Sequence, residues 1–226
     1  MTAPTELFRP VTTRNASKAV VEQVRVAVDL ALLVAGDRLP PERELAALLD
    51  VSRPTVREAL RMLAESGYVG IRRGASGGAF VLPRHWAGGT ERARELLAER
   101  RQELVALLEW RRAIEAEAAA LAAVRVSGDE LRSLRARIVE SGGWRPRSRE
   151  AWRAGDSRFH IAVAEASGNP WFVDAVRRAR AELAEALDAI VAHQAAEPAA
   201  AEHESILAAL QARDPGAARA AALRHG

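Results

Sequence analysis

The residues best suited to metal chemistry in this 226-residue chain lie in its C-terminal half. Asp156 and His160 stand four apart, so on a helix they share one face, a turn apart. His203, within Glu202-His203-Glu204-Ser205-Ile206-Leu207, and His225, 22 residues later, add two more imidazoles. Three imidazoles and a carboxylate supplied by three helices of a bundle suit a borderline divalent ion, zinc foremost, with nickel or manganese as alternatives. Spacing alone does not bring these groups together, and each histidine taken singly equally suits an exposed or locally hydrogen-bonded position. His85 and His193 read as ordinary linker and helix-surface residues. The chain has no cysteine, which excludes disulfides, zinc ribbons and thiol catalysis and leaves any metal to His, Asp or Glu.

A second group is basic. Ser52-Arg53-Pro54-Thr55-Val56-Arg57 opens a helix with Ser52 as its cap, and Arg53 and Arg57, four apart, share a face. Val56, Leu60 and Leu63 form the opposite, apolar stripe. In a helix-turn-helix the start of the second helix meets base edges in the major groove, where arginine binds guanine O6 and N7 with two hydrogen bonds. Thr55 suits a phosphate or a base edge. Arg43 projects from the preceding helix toward the expected phosphates, and Arg72-Arg73 precede a Gly-rich tip suited to the minor groove.

The elements needed to hold these residues can be traced along the chain. Val20, Val21, Val24, Val28 and Leu32 recur at helical spacing, which predicts a helix from Ser17 to Ala35 stopped by Gly36. Pro41 begins a second helix that runs to about Leu49, and the capped third runs to about Ser66, ended by Gly67. Tyr68–Arg72 and Ala79–Leu82 are β-prone runs flanking a glycine-rich tip, a hairpin. Beyond Glu91 only helical patterns remain, broken at Ser127-Gly128, Ser141-Gly142-Gly143, Gly168-Asn169-Pro170, Glu197-Pro198 and Asp214-Pro215. The fold class is therefore mainly α: a winged helix-turn-helix of three helices and a hairpin, then an antiparallel helical bundle. The expected divisions are a leader at 1–14, a DNA-binding domain at 15–83, a linker at 84–90 and a helical domain at 91–226.

Charge agrees with this division. Residues 1–85 carry twelve Lys/Arg against nine Asp/Glu, and the remainder carries 21 of each, so the net charge of +3 resides in the N-terminal part. No apolar run reaches the length of a bilayer span and the first residues lack a signal pattern, which places the expected protein in the cytoplasm, off the membrane.

Leu39-Pro40-Pro41-Glu42-Arg43-Glu44-Leu45-Ala46 followed by Val51-Ser52-Arg53-Pro54-Thr55-Val56-Arg57-Glu58-Ala59-Leu60 resembles the signature of the GntR family of transcription regulators. The resemblance implies that Arg43, Arg53, Thr55, Arg57 and Gly74 touch DNA, with Arg73 as the basic wing residue, in a symmetric homodimer on a palindromic operator. Arg111 to Ala123, Asp156-x3-His160 with Ala166-Ser167-Gly168-Asn169-Pro170, Glu202-His203-x2-Ile206-Leu207, and Asp214-x2-Ala217 to His225 resemble the FCD ligand-binding domain of the FadR-type branch. That likeness implies a metal on Asp156, His160, His203 and His225, and a small organic acid held by the metal and Arg111. Arg111 equally suits a surface pair with Glu115, and Asn169 either assists the ligand or caps the next helix, the reading favoured here. The expected function is a ligand-responsive, DNA-binding repressor and not an enzyme. A metal-dependent hydrolase and an architectural DNA-binding protein without ligand are the alternatives. The hydrolase lacks a second motif offering a base or an oxyanion donor.

Overall fold

A computed structural model describes residues 16–74, 77–83, 95, 98–140, 149–191 and 196–225. The leader at 1–14, residues 75 and 76 of the wing tip, the linker at 84–90, His85, His193 and the Ser141-Gly142-Gly143 break lie outside the described residues. Described residues within Met1–Arg25 and Gly36–Leu82 form one compact unit, and those within Val26–Ala35 and Pro83–Gly226 form another.

The first unit contains the start of α1 (Ala16–Asp29), α2 (Glu42–Leu48), α3 (Arg53–Glu65), β1 (Val69–Arg72) and β2 (Gly78–Val81). Val20 and Val24 of α1, Leu45 and Ala46 of α2 and Val56, Ala59, Leu60 and Leu63 of α3 are buried, as their helical spacing requires. The strands pair antiparallel with Val69 opposite Val81 and Arg72 opposite Gly78. Residues 36–39 add a third lane: Gly36 N donates to Val81 O, Val81 N to Asp37 O and Leu39 N to Ala79 O, each at 2.9 Å. That lane ties the turn before α2 to the hairpin.

The first helix ends at Asp29, short of Ala35. Ala31 takes φ +55°, Ala31 N donates to Val28 O and Leu32 N to Ala27 O, both 2.9 Å. This is a Schellman stop built on alanine in place of glycine, so the apolar repeat continues past the helix it suggests. The residues after the stop serve the second unit, where Leu30 packs with Ile161 and Ala181.

The second unit contains α4 (Arg101–Arg125), α5 (Gly128–Glu140), α6 (Arg149–Ala166), α7 (Pro170–Val191), α8 (Ala196–Gln211) and α9 (Pro215–His225). α4 packs against α6, α7, α8 and α9 and is the axis of the bundle. Ala116, Ala119, Ala122 and Ala123 of α4 are buried, and such small side chains let neighbouring helices approach closely. They join Phe159, Ile206, Leu207, Leu210, Ala218, Ala221 and Ala222 in one apolar core. The helix carrying His203 starts at Ala196, earlier than the Glu197-Pro198 signal suggests, because a proline in the first turn forfeits no helical hydrogen bond. No described strand follows β2, and no described helix is long and apolar enough to cross a membrane.

Candidate nucleic-acid interface and metal centre

α3 is built to present its start. Ser52 Oγ accepts from Thr55 N at 3.2 Å and lies 2.8 Å from Thr55 Oγ1, so the two hydroxyls fix the first turn. One face of α3 is buried, while Arg53 and Arg57 stand exposed on the other and Arg43 is exposed on α2. Arg57 is not free: its Nε and Nη2 donate to the two Glu42 carboxylate oxygens at 3.2 and 2.8 Å. The hydrogen bond from Arg57 holds Glu42 below its usual carboxylate range. Farther along, Arg61 pairs with Glu58 and Glu65.

In the wing, Arg73 and Gly74 are exposed, and Gly74 adopts φ +107°, a conformation only glycine takes without strain. Gly77 N closes the turn onto Gly74 O at 2.9 Å, and a Cβ on Gly77 would collide with the backbone oxygen of Arg72. Arg72 lies over the Phe80 ring at 4.7 Å and Arg38 at 5.9 Å, with Arg38 also donating to Gly77 O. Sequence reasoning passed over Arg38. Its position just before Leu39-Pro40 gives no sign that it reaches the wing.

The helical unit gathers the four expected metal ligands. His160 Nε2 lies 2.9 Å from His225 Nε2 and 3.1 Å from His203 Nε2, and the last two are 3.2 Å apart. Asp156 Oδ1 stands 3.6, 3.3 and 4.0 Å from the Nε2 atoms of His160, His203 and His225. A tetrahedral shell with bonds of about 2.0–2.1 Å separates its ligand atoms by roughly 3.3 Å. The four atoms thus outline a shell of that size.

The outward nitrogens explain why the inner ones converge. His160 Nδ1 faces Glu115 Oε2 at 3.3 Å and His225 Nδ1 donates to Glu202 Oε2 at 2.8 Å. Carboxylates on Nδ1 favour the tautomer whose Nε2 carries a lone pair, the arrangement usual around metal-bound histidine. Burial drives His160 down to about 3, Arg180 adding to the effect against Glu115 and Asp156, and burial and His203 lower His225, so both are neutral imidazoles. Lone pairs aimed at one point repel unless a cation lies between them. The residues present therefore fit a divalent ion.

Two arginines border the cluster. Arg180 donates from Nη1 to Glu115 Oε1 at 2.7 Å and from Nη2 to Asp156 Oδ2, on side chains that are nearly all buried. Burial alone raises Asp156, but the Arg180 guanidinium and the neighbouring His160 and His203 rings outweigh it and hold the carboxyl well below its usual range. Burial likewise raises Glu115, and His160, Arg180 and Arg111 together pull it down to about 2. Arg111 is buried with 6% of its surface exposed and makes none of the hydrogen bonds or ion pairs among the described residues; burial lowers its pKa. The surface pair with Glu115 is thereby corrected, since Glu115 is also buried and gives its Oε1 to Arg180. Asn169 is a cap: its Oδ1 accepts from Trp171 N at 3.1 Å at the start of α7.

Sequence reasoning missed Glu115 as a support, Arg180 and Glu202. Arg180 had a signal: it falls four after Val176 and three before Leu183 on the buried stripe of α7, where a charge needs a partner. Glu202 had none beyond adjacency to His203.

Residues 106–226 match the FCD domain family, and residues 16–81 match the family of bacterial regulatory proteins called gntR. The chain belongs to the GntR family, with an FCD domain. It is a DNA-binding transcription regulator, and the relatives it matches are named as regulators, not enzymes. An HTH-type regulator of Mycobacterium gastri, RmpR, is 32% identical over 227 residues, 97% of this chain and 81% of that protein. A regulatory protein of Escherichia coli (strain K12), named for an L-lactate dehydrogenase operon, is 36% identical over 160 residues, 69% of this chain and 60% of that protein. The solved structure of E. coli McbR/YncC covers 92% of this chain and 91% of its own at 21% identity and a TM-score of 0.50, a likeness of fold.

Proposed function

We propose that this GntR regulator is a repressor in the cytoplasm that binds a palindromic operator as a homodimer and answers to a small organic acid through a divalent metal, zinc foremost. The observation that carries this reading is the convergence of three imidazole Nε2 atoms and one carboxylate oxygen at 2.9–4.0 Å. Asp156, His160, His203 and His225 would hold the metal, which when bound supplies a Lewis-acidic position for an oxygen of the acid. Arg111, buried and with its Nε unpaired among the described residues, supplies a guanidinium fork for a carboxylate. The charges of Asp156 and Glu115 cancel those of Arg111 and Arg180, so a divalent ion leaves an excess of positive charge and the site favours an anion. The name of the E. coli relative connects it to an operon for an enzyme of a carboxylic acid, which supports the same class.

On the DNA side, Arg43, Ser52, Arg53, Thr55, Arg57, Arg73 and Gly74 form the reading surface, with domains at 15–83 and 91–226 joined by 84–90. The acid acts by binding better to one arrangement of the dimer than to another, which changes how two recognition helices fit half-sites a helical turn apart. The test is metal analysis of the purified protein, followed by operator binding at fixed salt across a panel of carboxylic acids. Wild type should hold one divalent ion per chain and lose or gain operator affinity with one acid, and His160→Ala should do neither. A metal-free protein whose operator affinity no acid alters would refute the reading.

A further inference from the structure

Glu42, the partner of the reading residue Arg57, has no part in the mechanism above. Glu42 is the first residue of α2, and its carboxylate takes both Nε and Nη2 of Arg57 across 15 residues of chain, at 3.2 and 2.8 Å. Both partners are accessible, with 65% of the Arg57 side chain and 31% of the Glu42 side chain exposed. A bidentate contact fixes the plane of a guanidinium as well as its position. With the Nε edge occupied, Nη1 and the outer hydrogen of Nη2 remain, and these form the end-on fork that meets guanine O6 and N7.

We infer that Glu42 is a positioning residue that holds Arg57 end-on, so that Arg57 discriminates guanine at one operator position. This inference rests on the reading that Arg57 touches bases. An unrestrained arginine on an exposed helix swings between a base edge and the nearest phosphate, and only the first contact carries sequence information. Glu42 also places a negative charge among the basic side chains of the interface, so it opposes general attraction to DNA while sharpening base choice. A residue that only capped α2 by its charge would leave the choice of base unchanged.

The test selects duplexes randomised across two half-sites with wild type, Glu42→Gln, Glu42→Ala and Arg57→Ala full-length protein, and measures binding to mixed-sequence duplex over a salt series. Arg57→Ala should lose preference for one guanine by about 5-fold to 150-fold, the range for a bidentate arginine contact. Glu42→Ala should lose at least about threefold of the same preference, with Glu42→Gln, which keeps one acceptor for Arg57, between it and wild type. Both Glu42 variants should bind mixed-sequence duplex more tightly, with the log–log salt slope steeper by up to about one. Unchanged melting temperatures and circular dichroism would confirm that fold is not the cause. Selection of the same guanine at wild-type strength by Glu42→Ala, while Arg57→Ala loses it, overturns the inference alone. Retention of every base preference by Arg57→Ala overturns both the inference and the reading beneath it.

Discussion

Withdrawal of metal from the helical unit should lower its melting temperature by a calculable amount. Asp156, His160, His203 and His225 stand with ligand atoms 2.9–4.0 Å apart and their supporting carboxylates in contact, so a cation would meet a preformed shell. An ion that binds the folded state alone and is present at a thousand times its Kd stabilises by roughly 4 kcal/mol. For domains of 150–250 residues each kcal/mol moves the midpoint by about 2–4 °C, which gives a shift of roughly 8–16 °C between chelated and zinc-saturated protein. Glu115→Gln removes the charge facing His160 Nδ1 and should weaken the metal by about 10-fold to 100-fold, taking roughly 3–11 °C off that shift. Calorimetry of the chelated protein against zinc, nickel and manganese reads this directly. An identical midpoint in all of them, or the full shift surviving in His160→Ala, would refute the metal assignment.

Other consequences follow from the same geometry. Arg53→Ala should cost about 1–3 kcal/mol at one base position, whereas Arg43→Ala should weaken binding evenly across sequences, as an operator substitution series would show. Arg111→Met should abolish the response to the acid and leave the acid-free fold as stable or up to about 1–4 kcal/mol more stable, since the guanidinium is buried with its Nε unpaired among the described residues; a clear loss of acid-free stability by urea titration would contradict this. Leu210→Ala, at a position with no exposed surface in the core of α4, α6, α8 and α9, should destabilise by about 2–5 kcal/mol in the same titration. At the start of α5, Glu130 N donates to Ser127 Oγ at 3.2 Å and Ser127 N to Glu130 Oε2 at 2.8 Å, and the bonds from Ser127 lower the Glu130 pKa. Its folded value lies below its unfolded one, so this stabilisation is complete above the ordinary value of 4.5 and disappears as pH falls through the folded value. Ser127→Ala should cost about 0.5–2 kcal/mol at neutral pH and progressively less in acid, measured by melts over a pH series.

Local chemistry made the N-terminal unit legible. The Ser52 cap, the stripe of Val56, Leu60 and Leu63, the stop at Gly67 and the glycines of the wing each act over a few residues, and the structure places them in the expected elements. The stop at Ala31 escaped because alanine carries no sign of a positive φ; the Schellman bonds that hold it there become visible only in three dimensions. In the helical unit, Asp156 and His160 are neighbours by helical repeat, but His203 and His225 lie 43 and 65 residues from His160. Their meeting depends on how α8 and α9 pack around α4, which the pattern of one helix does not encode. Arg111 and Glu115 show the same limit, since a pair four residues apart looks alike on a wet face and a buried one. Burial left Arg111 Nε without a partner among the described residues, gave Glu115 Oε1 to Arg180 and set Glu115 Oε2 against His160 Nδ1, and these are consequences of packing.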